Sequence, residues 1–205
     1  MDEKTKIRLK QLSNFKKNIP FVRLAAEEWN SDWKKLISIL LSARTRDEVT
    51  IRVAKNLFNK YKSIEKLSNA NLKEVQKIIK SINFYKNKSR NIIECTKLII
   101  KEHNSKVPKN LDELIKLPGV GRKTANVFLA EKGYNTIGVD THVAYISKKM
   151  KWTKSIKPEI IEKDLEKLFP KKYWKNLNSI LVRFGKTHTS RKEKDKIILE
   201  IKKVK

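Results

Sequence analysis

Two side chains able to do covalent chemistry stand close together in the middle of the chain. Lys123 follows the run LPGVGR at residues 117–122, and Asp140 comes 17 residues later. An unprotonated lysine amine is a nucleophile that forms imines, while an ionised carboxylate stabilises positive charge and moves protons. The pair therefore indicates a nucleophilic site, although Asp140 is equally well placed to cap a helix that starts at Thr141.

The residues around Lys123 predict a helix, a tight turn and a second helix. Asn110 with Glu113 three positions on is a capping pair, and Pro118 cannot continue the helix that they begin. Gly119 and Gly121 permit a left-handed backbone and close approach of another chain segment. The start of the second helix, at about residue 122, exposes backbone N–H groups suited to a phosphate. From the turn alone, an ordinary helical hairpin is an equally good interpretation.

The charge of the chain favours a polyanionic partner. It carries 49 Lys and Arg against 22 Asp and Glu, a formal net charge of +27 in 205 residues. Nucleic acid is the usual partner of such a field, and a membrane surface or a ribosome remains an alternative on charge alone. No stretch approaches the ~20 apolar residues of a spanning helix, and the polar start shows no signal peptide, so we expect a cytoplasmic protein.

The cysteine count restricts the metal and redox chemistry of the chain. Cys95 is the single cysteine, which excludes an internal disulfide and any multi-cysteine metal site within one chain. It lies in an apolar helical pattern, and we expect a buried thiol.

Helical start signals recur along the chain, and no period-two run predicts a strand. Thr45 with Glu48 and Asn71 with Glu74 are capping boxes, and Pro158 opens a further helix. Other helical patterns run over about 33–41, 89–103, 122–131, 141–150 and 158–169. The sequence predicts an all-α chain, folded as one unit or as two closely packed helical subdomains, with a basic tail over 191–205 that is a solvated helix or a DNA-facing arm.

The hairpin at residues 117–123 and the VDTH segment at 139–142 resemble the helix-hairpin-helix DNA glycosylases, and most closely the endonuclease III branch. ILLSA at 39–43 and NFYKNK at 83–88 are similar to this family's early helix and interdomain loop. The resemblance implies a six-helix barrel at 25–134 and a terminal domain made from 1–24 and 135–205, with the active site in the cleft between them.

The resemblance also implies a reaction. Members with lysine at this position remove a damaged base and nick the strand, so we expect a bifunctional DNA N-glycosylase and AP lyase of base excision repair. Lys123 would be the nucleophile and Asp140 the carboxylate that stabilises charge on the sugar. The expected partner is double-stranded DNA with damaged bases, chiefly oxidised pyrimidines, or abasic sites, bound by a monomer at the nucleoid if the source is prokaryotic. The alternatives are 8-oxoguanine or mismatched thymine or uracil as substrate, and a non-catalytic helix-hairpin-helix DNA-binding protein.

Further site residues are implied by the same resemblance. Arg44 and Phe84 would fill the space left by the flipped base, although Phe84 as plain core packing stays an alternative. His142 would pack beside the site or contact a phosphate. The hairpin residues expected to bind DNA are Gly119, Val120, Gly121, Arg122 and Thr124. A monovalent cation, Na⁺ or K⁺, would bind the main-chain carbonyls of Ile115, Leu117 and Val120.

One departure from the endonuclease III pattern is large. Many relatives carry four closely spaced cysteines near the C-terminus that hold a [4Fe–4S] cluster, whereas this chain has no cysteine after Cys95. Thiolates that do not exist cannot hold a cluster, so we expect no iron–sulfur cluster and no required cofactor. The basic C-terminal segment would then replace the cluster loop in DNA binding.

Overall fold

The computed structural model describes residues 1–20 and 22–204, and within them it contains helices and 3₁₀ turns but no β-strand. No helix in this part of the chain is long and apolar enough to cross a membrane. The helices are α1 (Glu3–Lys17), α2 (Asp32–Ser42), α3 (Asp47–Lys60), α4 (Ile64–Ser68), α5 (Leu72–Ile78), α6 (Tyr85–His103), α7 (Leu111–Leu114), α8 (Arg122–Glu131), α9 (Thr141–Lys149), α10 (Pro158–Leu168), α11 (Trp174–Thr187) and α12 (Arg191–Lys202), with 3₁₀ turns at Ala25–Glu28 and Lys171–Tyr173.

Most of the predicted helix starts are confirmed by their capping hydrogen bonds. The Asn71 side chain accepts from the amides of Lys73 and Glu74, and the Asn110 side chain accepts from the Glu113 amide. Pro158 occupies the first turn of α10. These signals are local, since each cap and its partner lie within three residues, and local chemistry is what a sequence shows best.

The capping box predicted at Thr45 is wrong. Helix α3 begins two residues later, with Arg46 at its N-cap position and no side-chain cap. The Thr45 hydroxyl accepts instead from the Asn83 amide at 3.2 Å. The Thr45 hydroxyl oxygen, which the capping box requires as an acceptor, is therefore bonded to a residue 38 positions away.

The chain folds as two compact units, Arg23–Leu129 and Met1–Val22 with Ala130–Lys205. The core of the Arg23–Leu129 unit is mainly aliphatic, with the aromatic rings of Phe58, Tyr61 and Phe128 buried in it, and it includes residues of every helix from α2 to α8. Cys95 is buried in it, and burial raises the pKa of this thiol to about 12, as expected of a structural cysteine.

The unit built from both chain ends is organised around Phe15 of α1. Its ring packs edge-on against Phe184 at 4.8 Å and Trp152 at 6.0 Å between ring centroids. Helix α11 packs against α1 and α9, and α12 packs against the same two helices. The predicted basic tail is therefore a helix with buried Ile198 and Ile201 rather than a fully solvated one; its last residue, Lys205, lies outside the described residues.

Candidate active site

The hairpin between α7 and α8 requires glycine at Gly119. Its φ is +79°, and a Cβ there would lie 2.8 Å from Cβ of Asn91 and 3.0 Å from Cδ1 of Leu40. The turn is closed by the Val120 amide, which donates to the Leu117 carbonyl at 3.0 Å. The hairpin therefore packs directly on α6 and α2, and a larger residue would push it away.

Lys123 lies in the first turn of α8 and is half-buried. The unsatisfied amides at a helix N-terminus carry partial positive charge, which disfavours an ammonium ion. Arg122 and Gly121 beside it are exposed, whereas Thr124 is buried. This start of α8 thus offers an amine close to amides that can bind an anion.

Sequence reasoning missed Lys88 on α6. Its side chain is only 8% exposed, and its Nζ donates to the carbonyls of Leu41 at 2.7 Å and Ala43 at 2.6 Å. Burial, followed by the charge of Lys123, lowers the pKa of Lys88 to about 8. A signal existed, because Lys88 shares the spacing of the buried Ile92, Cys95 and Ile99 on one face of the helix.

Asp140 caps α9. Its Oδ1 accepts from the amides of His142 and Val143, both at 2.9 Å, and the side chain is half-buried. The capping interpretation of Asp140 is confirmed, and it fixes the carboxylate at the start of this helix. A capping carboxylate can still stabilise a cation, since an ionised carboxylate has about four acceptor positions.

The segment around Asp140 is fastened by α11, a contact that the sequence did not reveal. The buried Asn178 amide donates to the Gly138 carbonyl. The His142 ring lies against Gly185, where a Cβ would meet its Nδ1 at 2.3 Å and its Cβ at 2.8 Å. His142 is thus packed against α11, and its expected place beside the site stays a prediction.

Arg44 and Phe84 are brought together. Both adopt left-handed backbone conformations, with φ of 57° and 60°, and the Arg44 guanidinium carbon lies 5.5 Å from the Phe84 ring centroid. The Asn83 side-chain amide donates to the Arg44 carbonyl and links the two loops. Phe84 is 59% exposed, so its alternative interpretation as core packing is wrong. An exposed aromatic residue on a strained backbone is common at functional sites.

The carbonyls expected to bind a cation lie along the hairpin. Ile115 is exposed, Leu117 and Val120 are buried, and the Leu117 carbonyl already accepts one hydrogen bond. A carbonyl oxygen has a second lone pair, so these residues suit a weakly bound monovalent cation. The cation site stays a prediction.

The C-terminal region does not fit an iron–sulfur cluster. The only cysteine of the chain is Cys95, in α6, and no group of three or more His, Cys, Asp or Glu suited to a metal occurs among residues 1–20 and 22–204. Side chains of α9 and α12 meet here instead. Asp195 accepts from the Tyr145 hydroxyl and from Lys149 Nζ at 2.6 Å, and three cations, Lys149, Arg191 and Lys194, lie within 6 Å of the Tyr145 ring centroid.

The structure thus contains a glycine hairpin that leads into a lysine-bearing helix in an all-helical described chain. Residues 37–171 match the family described as HhH-GPD superfamily base excision DNA repair protein, and the chain belongs to this superfamily.

Its relatives lie in the endonuclease III branch. The chain is 40% identical over 156 residues to endonuclease III of Thermotoga maritima, covering 75% of this chain and 73% of that one. It is 40% identical over 163 residues to endonuclease III of Bacillus subtilis, covering 78% and 74%. A solved non-covalent endonuclease III–DNA complex superposes with a TM-score of 0.82 at 35% identity, covering 93% of this chain and 89% of that one. A trapped endonuclease III–DNA covalent intermediate gives 0.78 at the same identity and coverage. The family and the all-helical fold predicted from the sequence are confirmed.

Proposed function

We propose that this protein is a base-excision-repair DNA glycosylase with AP-lyase activity, acting on oxidised pyrimidines in double-stranded DNA. One observation carries the proposal: a half-buried lysine in the first turn of α8, directly after the glycine hairpin. It occurs in a chain that resembles, over 93% of its length, an endonuclease III trapped in a covalent intermediate with DNA.

The reaction begins when the damaged nucleotide leaves the base stack, because neither Lys123 nor Asp140 can reach the nucleotide inside the duplex. Arg44 and Phe84 fill the vacated space and contact the opposite strand. Both side chains are exposed, and they already stack on each other, which suits insertion between bases. An arginine donates well to a guanine edge, which favours guanine as the opposite base.

Lys123 then acts as the nucleophile. Its neutral Nζ attacks C1′ of the deoxyribose, the bond from C1′ to the base breaks, and the base leaves with the electron pair and takes up a proton. Opening of the sugar ring gives an imine between Lys123 and C1′. Loss of a C2′ proton to a base expels the 3′ phosphate, and water hydrolyses the imine to release the lysine.

Asp140 supplies the negative charge. Its carboxylate stabilises the positive charge that develops on the sugar and accepts protons during the lysine chemistry. Its capping bonds to the amides of His142 and Val143 hold the carboxylate in one orientation throughout.

The hairpin holds the DNA backbone. Phosphate binding falls to the hairpin and the start of α8, at Gly119, Val120, Gly121, Arg122 and Thr124, with His142 as a further contact. A monovalent cation at the carbonyls of Ile115, Leu117 and Val120 would bring positive charge to the same phosphate. No iron–sulfur cluster takes part, since the chain lacks the thiolates to hold one.

Borohydride trapping tests the proposal. The protein is mixed with duplexes carrying thymine glycol, uracil, 8-oxoguanine or an abasic site and then reduced. We expect a covalent adduct with thymine glycol and with the abasic site. The adduct should be lost in Lys123→Gln and retained in Lys109→Gln, which removes an exposed lysine ahead of the hairpin.

The other outcomes separate the alternatives. An adduct with 8-oxoguanine or uracil alone would keep the mechanism and change the substrate. Tight DNA binding without any adduct would leave a monofunctional glycosylase or a non-catalytic DNA-binding protein. An undiminished adduct in Lys123→Gln would assign the nucleophile to another residue.

A further inference from the structure

The reaction proposed above makes no use of Lys88, although it is one of the few buried charged groups in the Arg23–Leu129 unit. Its Nζ binds the carbonyls of Leu41 and Ala43, which end α2. The last carbonyls of a helix have no partner within the helix, and a cation there is also favoured by the helix dipole. These bonds hold the turn that carries Arg44.

The hairpin packs against the same side of α6. Gly119 lies so close to Asn91 that a Cβ would clash at 2.8 Å, and Asn91 is one helical turn beyond Lys88. Lys123 begins its helix only four residues after Gly119. The charge of Lys123 also contributes to the lowered pKa of Lys88, which indicates that the two side-chain amines lie near each other.

We infer that Lys88 is a positioning residue for the glycosylase reaction: its buried ammonium group fixes the end of α2 beside the hairpin and disfavours the protonated form of the Lys123 amine. The inference rests on the nucleophilic role proposed for Lys123. Two positive charges repel each other equally, so the effect of Lys123 on Lys88 has a counterpart of the same sign on Lys123. Lys88 remains mostly charged at neutral pH, since its pKa is about 8.

Other charged groups on the neighbouring elements are less well placed to exert this effect. Asp47 on α3 is the buried acid among them, and it accepts from the Ala25 amide at 3.3 Å, whereas Asp32 on α2 and Glu94 on α6 are partly or fully exposed. The cations near the end of α2, on the first half of α6 and at the start of α8 are solvent-exposed, so water screens their fields: Lys86, Arg90, Arg44, Arg46 and Arg122. Lys88 is the cation among them that is withdrawn from water.

The test measures single-turnover nicking of an abasic-site duplex between about pH 5.5 and about pH 9. The rate rises with pH as the Lys123 amine loses its proton. Lys88→Gln removes the charge but keeps two N–H donors for the Leu41 and Ala43 carbonyls. We expect the rising limb to move to higher pH by on the order of one unit, giving a rate about tenfold lower on that limb. Lys88→Arg keeps the charge and should leave the limb in place.

Two controls separate this inference from the proposed function. Lys97→Gln removes an exposed lysine of α6 that pairs with Glu94, and its profile should match the unmodified protein. Labelling of Lys123 by acetic anhydride in the DNA-free protein, followed by peptide mass spectrometry, reports the protonation of this amine without any turnover. We expect its labelling midpoint to rise in Lys88→Gln.

A rate that Lys88→Gln lowers equally at every pH, together with an unchanged labelling midpoint, would overturn the inference and leave Lys88 as a structural tether. Absence of nicking and of any adduct in the unmodified protein would instead overturn the proposed function, while the labelling midpoint would still decide whether Lys88 acts on the Lys123 amine.

Discussion

Replacement of Gly185 by alanine should damage both stability and catalysis through His142. Alanine is preferred over glycine inside a helix by about 1 kcal/mol, so propensity alone predicts a more stable protein. The contact predicts the opposite, because the new Cβ would lie 2.3 Å from Nδ1, 2.6 Å from Cγ and 2.8 Å from Cβ of His142. The ring can rotate, but the Cβ cannot move without α9.

The steric cost of the contact with His142 is expected to exceed the gain in helix propensity. Overpacking of a well-filled interior costs about 1–3 kcal/mol, and backbone movement belongs at the upper end of that range. After subtraction of the propensity gain, we expect Gly185→Ala to lower the free energy of unfolding by about 1–2 kcal/mol. The amide of His142 donates to Asp140, so a shift of the first turn of α9 also moves the carboxylate. A misplacement of about 1 Å can slow an enzyme about 100-fold.

Urea unfolding and single-turnover base release from a thymine glycol duplex measure the two effects. Gly121→Ala is the control for stability alone, since a Cβ at that position has nothing within 4 Å. In Gly185→Ala with His142→Ala, two of the three close atoms are gone, and the double variant should be more stable than the sum of the single changes implies. A Gly185→Ala protein as stable and as active as the original would refute this reasoning.

Three further predictions concern the hairpin, the α9–α12 contact and the Asp140 carboxylate. Gly119→Ala, with φ at +79° and Cβ 2.8 Å from Asn91 Cβ, should lower the free energy of unfolding by about 2 kcal/mol in urea, and an unchanged value would contradict the close packing. The hydrogen bond from Lys149 lowers the pKa of Asp195. The stability from this pair is therefore present above the unfolded pKa near 3.9 and lost as pH falls through the lower folded value, so the difference between the protein and Asp195→Asn should vanish in acid urea titrations. Asp140→Asn keeps a good N-cap and should change unfolding by less than about 0.5 kcal/mol while slowing base release about 100-fold or more; normal turnover in this variant would leave Asp140 as a cap only.

The parts of the fold that the sequence predicted correctly are those determined by neighbours along the chain. Asn71, Asn110 and Asp140 cap their helices because the amides they bind lie two or three residues away. The cap predicted at Thr45 does not form, because the Thr45 hydroxyl accepts a hydrogen bond from the amide of Asn83, in a loop distant along the chain. A capping signal is reliable only where no long-range partner competes for the side chain.

The candidate site likewise contains residues that the sequence could predict and residues that depend on long-range packing. The types and order of Lys123 and Asp140 could be read from the chain, and their roles stay predictions that the variants above test. The spacing of Lys88 with the buried face of α6 was a signal for its burial, but the carbonyls of Leu41 and Ala43 that bind its ammonium group could not be read from the chain. Gly185 likewise looked like any helical glycine until His142 was found against it. Burial and close approach depend on tertiary packing, which residue types alone do not specify.

Helix α12 shows how the C-terminal segment of this chain is ordered without any cysteine after Cys95. Ile198 and Ile201 are buried on its inner face, and full burial of an isoleucine side chain contributes about 1.5–3 kcal/mol. Asp195 on the same helix accepts from the Tyr145 hydroxyl of α9, and the Gln11 side chain of α1 donates to carbonyls at the end of α12, at 3.3 and 3.4 Å. Helix α12 is thus held by the burial of Ile198 and Ile201 and by polar contacts with two helices, α9 and α1. The position of this basic helix therefore follows from packing, and it needs no thiolate ligand to be held against α1 and α9.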